Sequence, residues 1–191
     1  MISAPVTDLT FVRHSETIAN ATGKYNSKTI DTFSTKGEGL IKTLTQKLLK
    51  EKKYDVILVS PSPRALKTIA PYLQETKSHA KVWTLLYECC TSKRPVGAHA
   101  TKFTYSKQPV NVPGPIKPFF LVSKEDSFLP SSPDYNAGLA QVEATVKEFK
   151  KKYLGKRILI VGHSGHGGQF IKALTGKSIR VENASPLHLK F

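Results

Sequence analysis

Short apolar runs alternate along the chain with longer amphipathic stretches. Leu9 to Val12 is strand-like and ends at Arg13-His14. Residues 15–35, rich in Ser, Thr, Asn and Gly, read as loop. From Lys36 to Lys52 the apolar positions Leu40, Ile41, Leu44, Leu48 and Leu49 form one stripe, which predicts a helix. Asp55 to Ser60 holds a continuous apolar run of the length of a strand buried on both faces. Ser62-Pro63 reads as an N-cap with proline at the first helical position, opening a helix to about Glu75. Lys81 to Tyr87 is expected to be another strand. Asp134 to Tyr153 is expected to be a helix with Leu139, Val142, Val146 and Phe149 on one face. Arg157 to Gly162 repeats the buried-strand pattern, Gly165 to Thr175 is helical, and Leu187 to Phe191 is a closing strand. This alternation predicts an α/β three-layer sandwich, its largely parallel central sheet flanked by helices.

Residues 93–133 break the pattern. Seven of the twelve prolines fall there, which argues against long regular elements. The stretch is expected to be a basic insertion over the site, with short strands near Phe103–Tyr105 and Phe119–Val122. The chain of 191 residues is otherwise the size of one domain. Its two cysteines, Cys89 and Cys90, are adjacent and supply neither a disulfide framework nor a four-thiolate zinc site. No apolar run approaches the roughly 18 residues of a membrane helix. Met1 to Asp8 lacks a basic leader and an apolar core, so a cytoplasmic protein is expected.

Charge narrows the chemistry. Twenty-nine Lys and Arg against fourteen Asp and Glu leave a net +15, a surface that attracts anions. Residues 91–124 carry six basic side chains and no acid. Parallel α/β sheets bind ligands beyond the carboxyl ends of their strands. Three expected strand ends carry Arg13-His14, Ser60-Pro-Ser-Pro-Arg64 and Gly162-His163-Ser-Gly-His166. Two arginines and two or three histidines would therefore converge on one crevice. Guanidinium forks suit phosphoryl oxygens, and a neutral imidazole is a nucleophile.

The same blocks carry a resemblance. Phe11-Val-Arg-His-Ser-Glu-Thr-Ile-Ala-Asn20 resembles the Arg-His-Gly signature of the histidine phosphatase superfamily, also called phosphoglycerate mutase-like. Ser60-Pro-Ser-Pro-Arg-Ala-Leu-Lys-Thr68 resembles its Ser-Pro-x-x-Arg-Ala-x-x-Thr, and Ser34-Thr-Lys-Gly37 its Leu-Thr-x-x-Gly helix start. Val161-Gly-His163 resembles the segment of its second histidine, and Leu86-Tyr-Glu88 sits where its acidic residue falls. The matches run in family order over residues 9–170. Ser15 and Ser164 depart from the pattern, each adding a hydroxyl that could reach phosphate. His166 offers a rival to His163, which is preferred because it ends its strand directly.

The resemblance implies a phosphoglycerate mutase-like fold and a phosphohistidine formed on His14. Arg13, Arg64 and His163 would bind the equatorial oxygens and Asn20 would add a further contact. Glu88 would protonate the leaving oxygen and then activate water. No metal or other cofactor is implied. Lys93 and Arg94, with His99 and Lys102, would bind the rest of an anionic substrate. Mutases of the family have a longer chain with a C-terminal tail over the site. This chain stops at Phe191, so hydrolysis is expected over mutase-type transfer. The alternative class is a non-catalytic phosphate- or nucleic-acid-binding module, although no recognised nucleic-acid motif is visible. The expected partner is a small phosphorylated substrate or inorganic phosphate, not a membrane, and no oligomeric state is implied.

Overall fold

The computed structural model describes residues 5–91 and 102–191. Its centre is a six-stranded sheet. In chain order the strands are β1 (Asp8–Arg13), β2 (Val56–Val59), β3 (Ala80–Val82), β4 (Thr104–Pro109), β5 (Phe120–Leu121), β6 (Phe128–Ser131), β7 (Arg157–Gly162) and β8 (Leu187–Lys190). The sheet runs β5-β3-β2-β7-β1-β8, while β4 and β6 form a separate antiparallel ribbon. Every pairing in the large sheet is parallel except β1 with β8. The helices are α1 (Ile18–Thr22), α2 (Thr35–Leu49), α3 (Pro63–Thr76), α4 (Tyr135–Tyr153) and α5 (Ser164–Thr175).

Alternation along the strands makes two cores. Leu159 and Val161 of β7 join Val12, Val59, Leu44 and Ile69 on the α2/α3 face. Ile158 and Ile160 join Leu9, Phe11, Phe149 and Phe170 on the α4/α5 face. The middle strands are therefore apolar on both sides, as helix-covered parallel strands require. Each such side chain contributes roughly 1.5–3 kcal/mol by leaving water. The architecture is the three-layer α/β sandwich that the alternation predicts.

Several local expectations are corrected. Residues 15–35 are not all loop. Thr17 caps α1 by accepting the N–H of Asn20, and Asn20 Oδ1 accepts the N–H of Thr17. This reciprocal capping box lies in a run of polar residues that shows no helical periodicity. The strand expected over Lys81–Tyr87 stops at Val82, and a 3-10 turn follows at Thr84–Leu86. Asp126 imposes that turn by accepting both the N–H and the hydroxyl of Thr84, at 2.8 and 2.7 Å. Leu139 of α4 is exposed rather than packed.

The described part of the basic stretch, residues 102–133, also differs from expectation. Among the described residues, none between 102 and 133 lines the cavity at the carboxyl ends of the strands. Their β5 instead extends the far edge of the sheet beside β3. Two strands, β3 and β2, separate it from β7.

Candidate active site

Strand order brings the candidate chemistry together. β7 lies between β1 and β2, so Arg13-His14, His163 and the Ser60–Arg64 turn leave neighbouring strands at the same end. A cavity of about 330 Å³ opens there. Arg13, His14, Arg64 and Glu88 line it, with Thr17, Asn20, Tyr25 and Ile30 from the α1 region. Thr91 and Ser164 complete its wall.

His14 is buried and held at four points. Its N–H donates to Gly162 O at 2.9 Å, and its carbonyl accepts from Asn183 Nδ2 at 2.8 Å. Its Nδ1 lies 2.8 Å from Ser15 O. A carbonyl oxygen only accepts, so Nδ1 carries the proton and Nε2 of the neutral ring keeps its lone pair. Its edge meets His163, ring centroids 5.3 Å apart. Burial, and then the Arg64 charge, push its pKa down to about 3, so the ring is neutral across the physiological range.

The two arginines differ in setting. Arg13 Nη1 donates to Val181 O at 3.5 Å, while its buried Nε has no hydrogen-bond partner among the described residues. A buried guanidinium donor of this kind fits an anionic oxygen. Arg64 occupies the first turn of α3, where Pro63 stands at the start of the helix. Its Nη1 pairs with Asp31 at 3.1 Å, and its Nη2 donates to His163 Nδ1 at 3.4 Å. An arginine only donates, so His163 Nδ1 accepts and Nε2–H donates to Ser60 Oγ at 2.7 Å. His163 is fully buried and does not line the cavity. Burial and Arg64 hold its pKa well below the ordinary imidazole value. Ser62, expected as a side-chain cap of α3, makes no cap bond and turns toward His163 instead.

Glu88 is a carboxyl at the head of a helix. Oε1 accepts the N–H groups of Cys89 and His166 at 3.0 and 2.7 Å, and Oε2 accepts that of Gly165 at 3.2 Å. Burial raises its pKa above the usual carboxylate value, partly offset by these amides and by Arg64. Oε2, with one amide donor against two on Oε1, is the better site for a proton. Gly165 is required for this approach: a Cβ there would stand 2.7 Å from Glu88 Oε1 and 2.4 Å from Cys89 O.

Other sequence-based expectations are placed elsewhere. Ser15 Oγ donates to Gly37 O at 2.7 Å, and Ser15 N–H donates to Thr68 Oγ1, so the residue ties β1 to α2 and α3 and is turned from the cavity. His166 is also buried, 3.0 Å from Thr145 Oγ1 and stacked on Phe170. Both are buried and neither lines the cavity. Lys93, Arg94 and His99 lie outside the described residues. Two other acids are occupied elsewhere: Asp31 by Arg64, and Asp126 by Thr84 and Ser123. Cys89 and Cys90 are buried. Among the described residues, no His, Cys, Asp and Glu group has the arrangement of a metal site.

Sequence reasoning missed Thr17, Tyr25 and Thr91 on the cavity wall and Asn183 behind it. None lies in a periodic or charged pattern, so only folding reveals them.

A model of the histidine phosphatase superfamily, branch 1, matches residues 9–189. The chain belongs to that superfamily. Its fold is shared with solved structures at low identity. The alpha-ribazole phosphatase of Shigella flexneri is 19% identical, with TM-score 0.63 over 95% of this chain and 89% of that one. The phosphoglycerate mutase of Bacillus anthracis str. Sterne is 18% identical, with TM-score 0.61 over 98% and 89%. The phosphoserine phosphatase of Entamoeba histolytica, solved with 3-phosphoglyceric acid, is 16% identical, with TM-score 0.60 over 95% and 89%. Among curated proteins, no sequence matches the chain. Superfamily membership supports phosphatase or mutase activity, and the likenesses show the shared fold. Among the described residues, no helix is long and apolar enough to cross a membrane.

Proposed function

We propose that the chain is a metal-independent phosphomonoester hydrolase acting on a small phosphorylated metabolite through a phosphohistidine at His14. The observation that carries this reading is the state of His14. Its Nδ1–H is spent on Ser15 O, which leaves Nε2 as the one lone pair of a neutral ring on the wall of the cavity.

Arg13 and Arg64 hold the phosphoryl oxygens and neutralise their charge, the part a metal ion plays elsewhere. Asn20 adds an amide donor. His14 Nε2 bonds to phosphorus as the P–O bond to the leaving group breaks. Glu88 gives its proton to the leaving oxygen. The Glu88 carboxylate then takes a proton from water, whose oxygen attacks phosphorus. Inorganic phosphate leaves and His14 is restored. His163 backs the nucleophile edge-on and holds Arg64, and it reaches the phosphoryl group only through movement of that pair. A cavity of about 330 Å³ suits one phosphoryl group with a small leaving group. The structural neighbour solved with 3-phosphoglyceric acid supports this substrate class.

The test is phosphate release in EDTA from a panel of phosphorylated metabolites and a chromogenic aryl phosphate, for wild type and His14→Ala. Release that survives EDTA and vanishes in the variant is expected. Isomerisation of phosphoglycerates without release would replace hydrolysis by transfer. Release that persists in His14→Ala would overturn the nucleophile.

A further inference from the structure

The segment between α5 and β8 crosses the Arg13-His14 end of β1. Ala184 N–H donates to Arg13 O at 2.9 Å, and Arg13 pairs with Asn183 in an isolated parallel bridge. Ala184 takes a left-handed φ of +50° to make this crossing, a conformation that disfavours a residue bearing Cβ. The Asn183 side chain then reaches two residues of the site. Its Nδ2 donates to the His14 carbonyl at 2.8 Å and lies 3.4 Å from Asn20 Oδ1.

The second contact has a chemical consequence. A side-chain amide can present either its oxygen or its nitrogen to a ligand. Asn20 Oδ1 accepts from both Thr17 N–H and Asn183 Nδ2. With the oxygen held twice, Asn20 Nδ2 is the end left for the Tyr25 hydroxyl, at 3.5 Å, and for the cavity. An NH₂ group there attracts phosphoryl oxygens, whereas an amide oxygen would repel them. Asn183 itself does not line the cavity.

We propose that Asn183 is a positioning residue of the reaction: its amide fixes the main chain of the nucleophile His14 and turns the Asn20 N–H donors toward the substrate. This rests on the phosphohistidine reading for His14. A side chain that merely ties down the turn before β8 would stabilise the protein without affecting turnover.

The test compares Asn183→Ala, Asn183→Asp and Asn183→Ser with wild type, using aryl phosphate kinetics, calorimetry of inorganic phosphate and urea unfolding. Asn183→Asp keeps the shape but has no donor, and Asn183→Ser keeps a short one. Loss of His14 alignment should lower kcat roughly tenfold to a hundredfold in the Ala and Asp variants. The reorientation of Asn20 should weaken phosphate binding about fivefold, the worth of one hydrogen bond. Asn183→Ser should recover part of kcat. In an Asn183→Ala background, Asn20→Ala should cost less than it does alone, because its donor is already misdirected. Wild-type kcat and phosphate affinity in both Asn183→Ala and Asn183→Asp, with only stability lowered, would overturn the proposal. So would full multiplication of the Asn20 and Asn183 effects. If wild type hydrolyses nothing, the function reading fails, and phosphate calorimetry still decides the role of Asn183. If Asn183→Ala does not fold, the isosteric Asp variant carries the comparison.

Discussion

One oxygen of Asp31 holds Arg64 twice: Oδ1 accepts the backbone N–H of Arg64 at 3.2 Å and its Nη1 at 3.1 Å. The backbone bond supplies the N-terminal cap of α3 that Ser62 does not make. The side-chain bond aims the guanidinium. Lys67 Nζ also donates to the Asp31 carbonyl, so the loop is fastened to α3 from both sides.

Asp31→Ala should therefore lose cap and aim together. Stability should fall by about 1 kcal/mol in urea unfolding, the usual worth of a cap. The kcat/KM for phosphate esters should fall about tenfold as Arg64 loosens. Asp31→Asn keeps an acceptor for the N–H and should retain most of the stability. Wild-type kinetics in Asp31→Ala would show that the ion pair does not orient Arg64.

Acid sensitivity should be steep. Burial lowers the pKa values of His14 and His166 to about 3 and holds His163 well below 6.5. Below pH 6.5 the unfolded chain takes up protons at these positions and the folded chain does not, so stability falls as pH drops. Three such groups give a slope of up to about 4 kcal/mol per pH unit. Glu88, whose folded pKa is raised, acts in the opposite sense: its contribution is lost as pH rises through that value. Urea midpoints at pH 7, 6 and 5 measure the sum, and His166→Gln should flatten the slope by about a third. A slope of one proton or less would contradict the burial of neutral imidazoles.

The rate should depend on pH in a different way. His14 is already a free base at pH 5, so kcat/KM should show no acid limb near 6.5 while the protein stays folded. The alkaline limb should follow loss of the Glu88 proton and should disappear in Glu88→Gln, which should also be slower by roughly 10²–10⁴-fold. Profiles on an aryl phosphate, whose leaving group needs little protonation, should show the smallest Glu88 effect. An acid limb at 6.5 would mean that the nucleophile is a more exposed imidazole.

Ser15→Ala separates support from chemistry. It removes the hydroxyl that donates to Gly37 O and should cost roughly 0.5–1.5 kcal/mol, the net worth of one hydrogen bond. Turnover should stay within a few-fold of wild type. A loss of activity without a loss of stability would return Ser15 to the ligand-contacting group.

The parts of the fold written in contiguous residues were legible beforehand. Apolar runs at 9–12, 55–60 and 157–162 mark strands covered on both faces, and the polar residues at their ends mark the rim of the crevice. What escaped depends on partners distant in the chain. The strand expected through Tyr87 is cut short by Asp126, 42 residues later. Hydroxyls and imidazoles look alike in a sequence whether they face a ligand or a carbonyl, so Ser15 and His166 were grouped with the site while Asn183 was not. Proline density excluded long elements over 102–133, where the strands are short, but composition carries no direction: β5 joins the far sheet edge, β4 and β6 pair apart, and none of these residues lines the cavity.

The pairing of β1 with β7 over six consecutive residues has a practical consequence. Arg13 ends β1 and Ser164 follows β7, both on the cavity wall, and these strands cannot separate without dissolving both cores. An anion seated between them is therefore a fastener for the entire sandwich. At a hundredfold excess over its dissociation constant it adds about 2.7 kcal/mol to the unfolding free energy. Melting temperature then becomes a census of metabolites, able to rank natural ligands before a single turnover is seen.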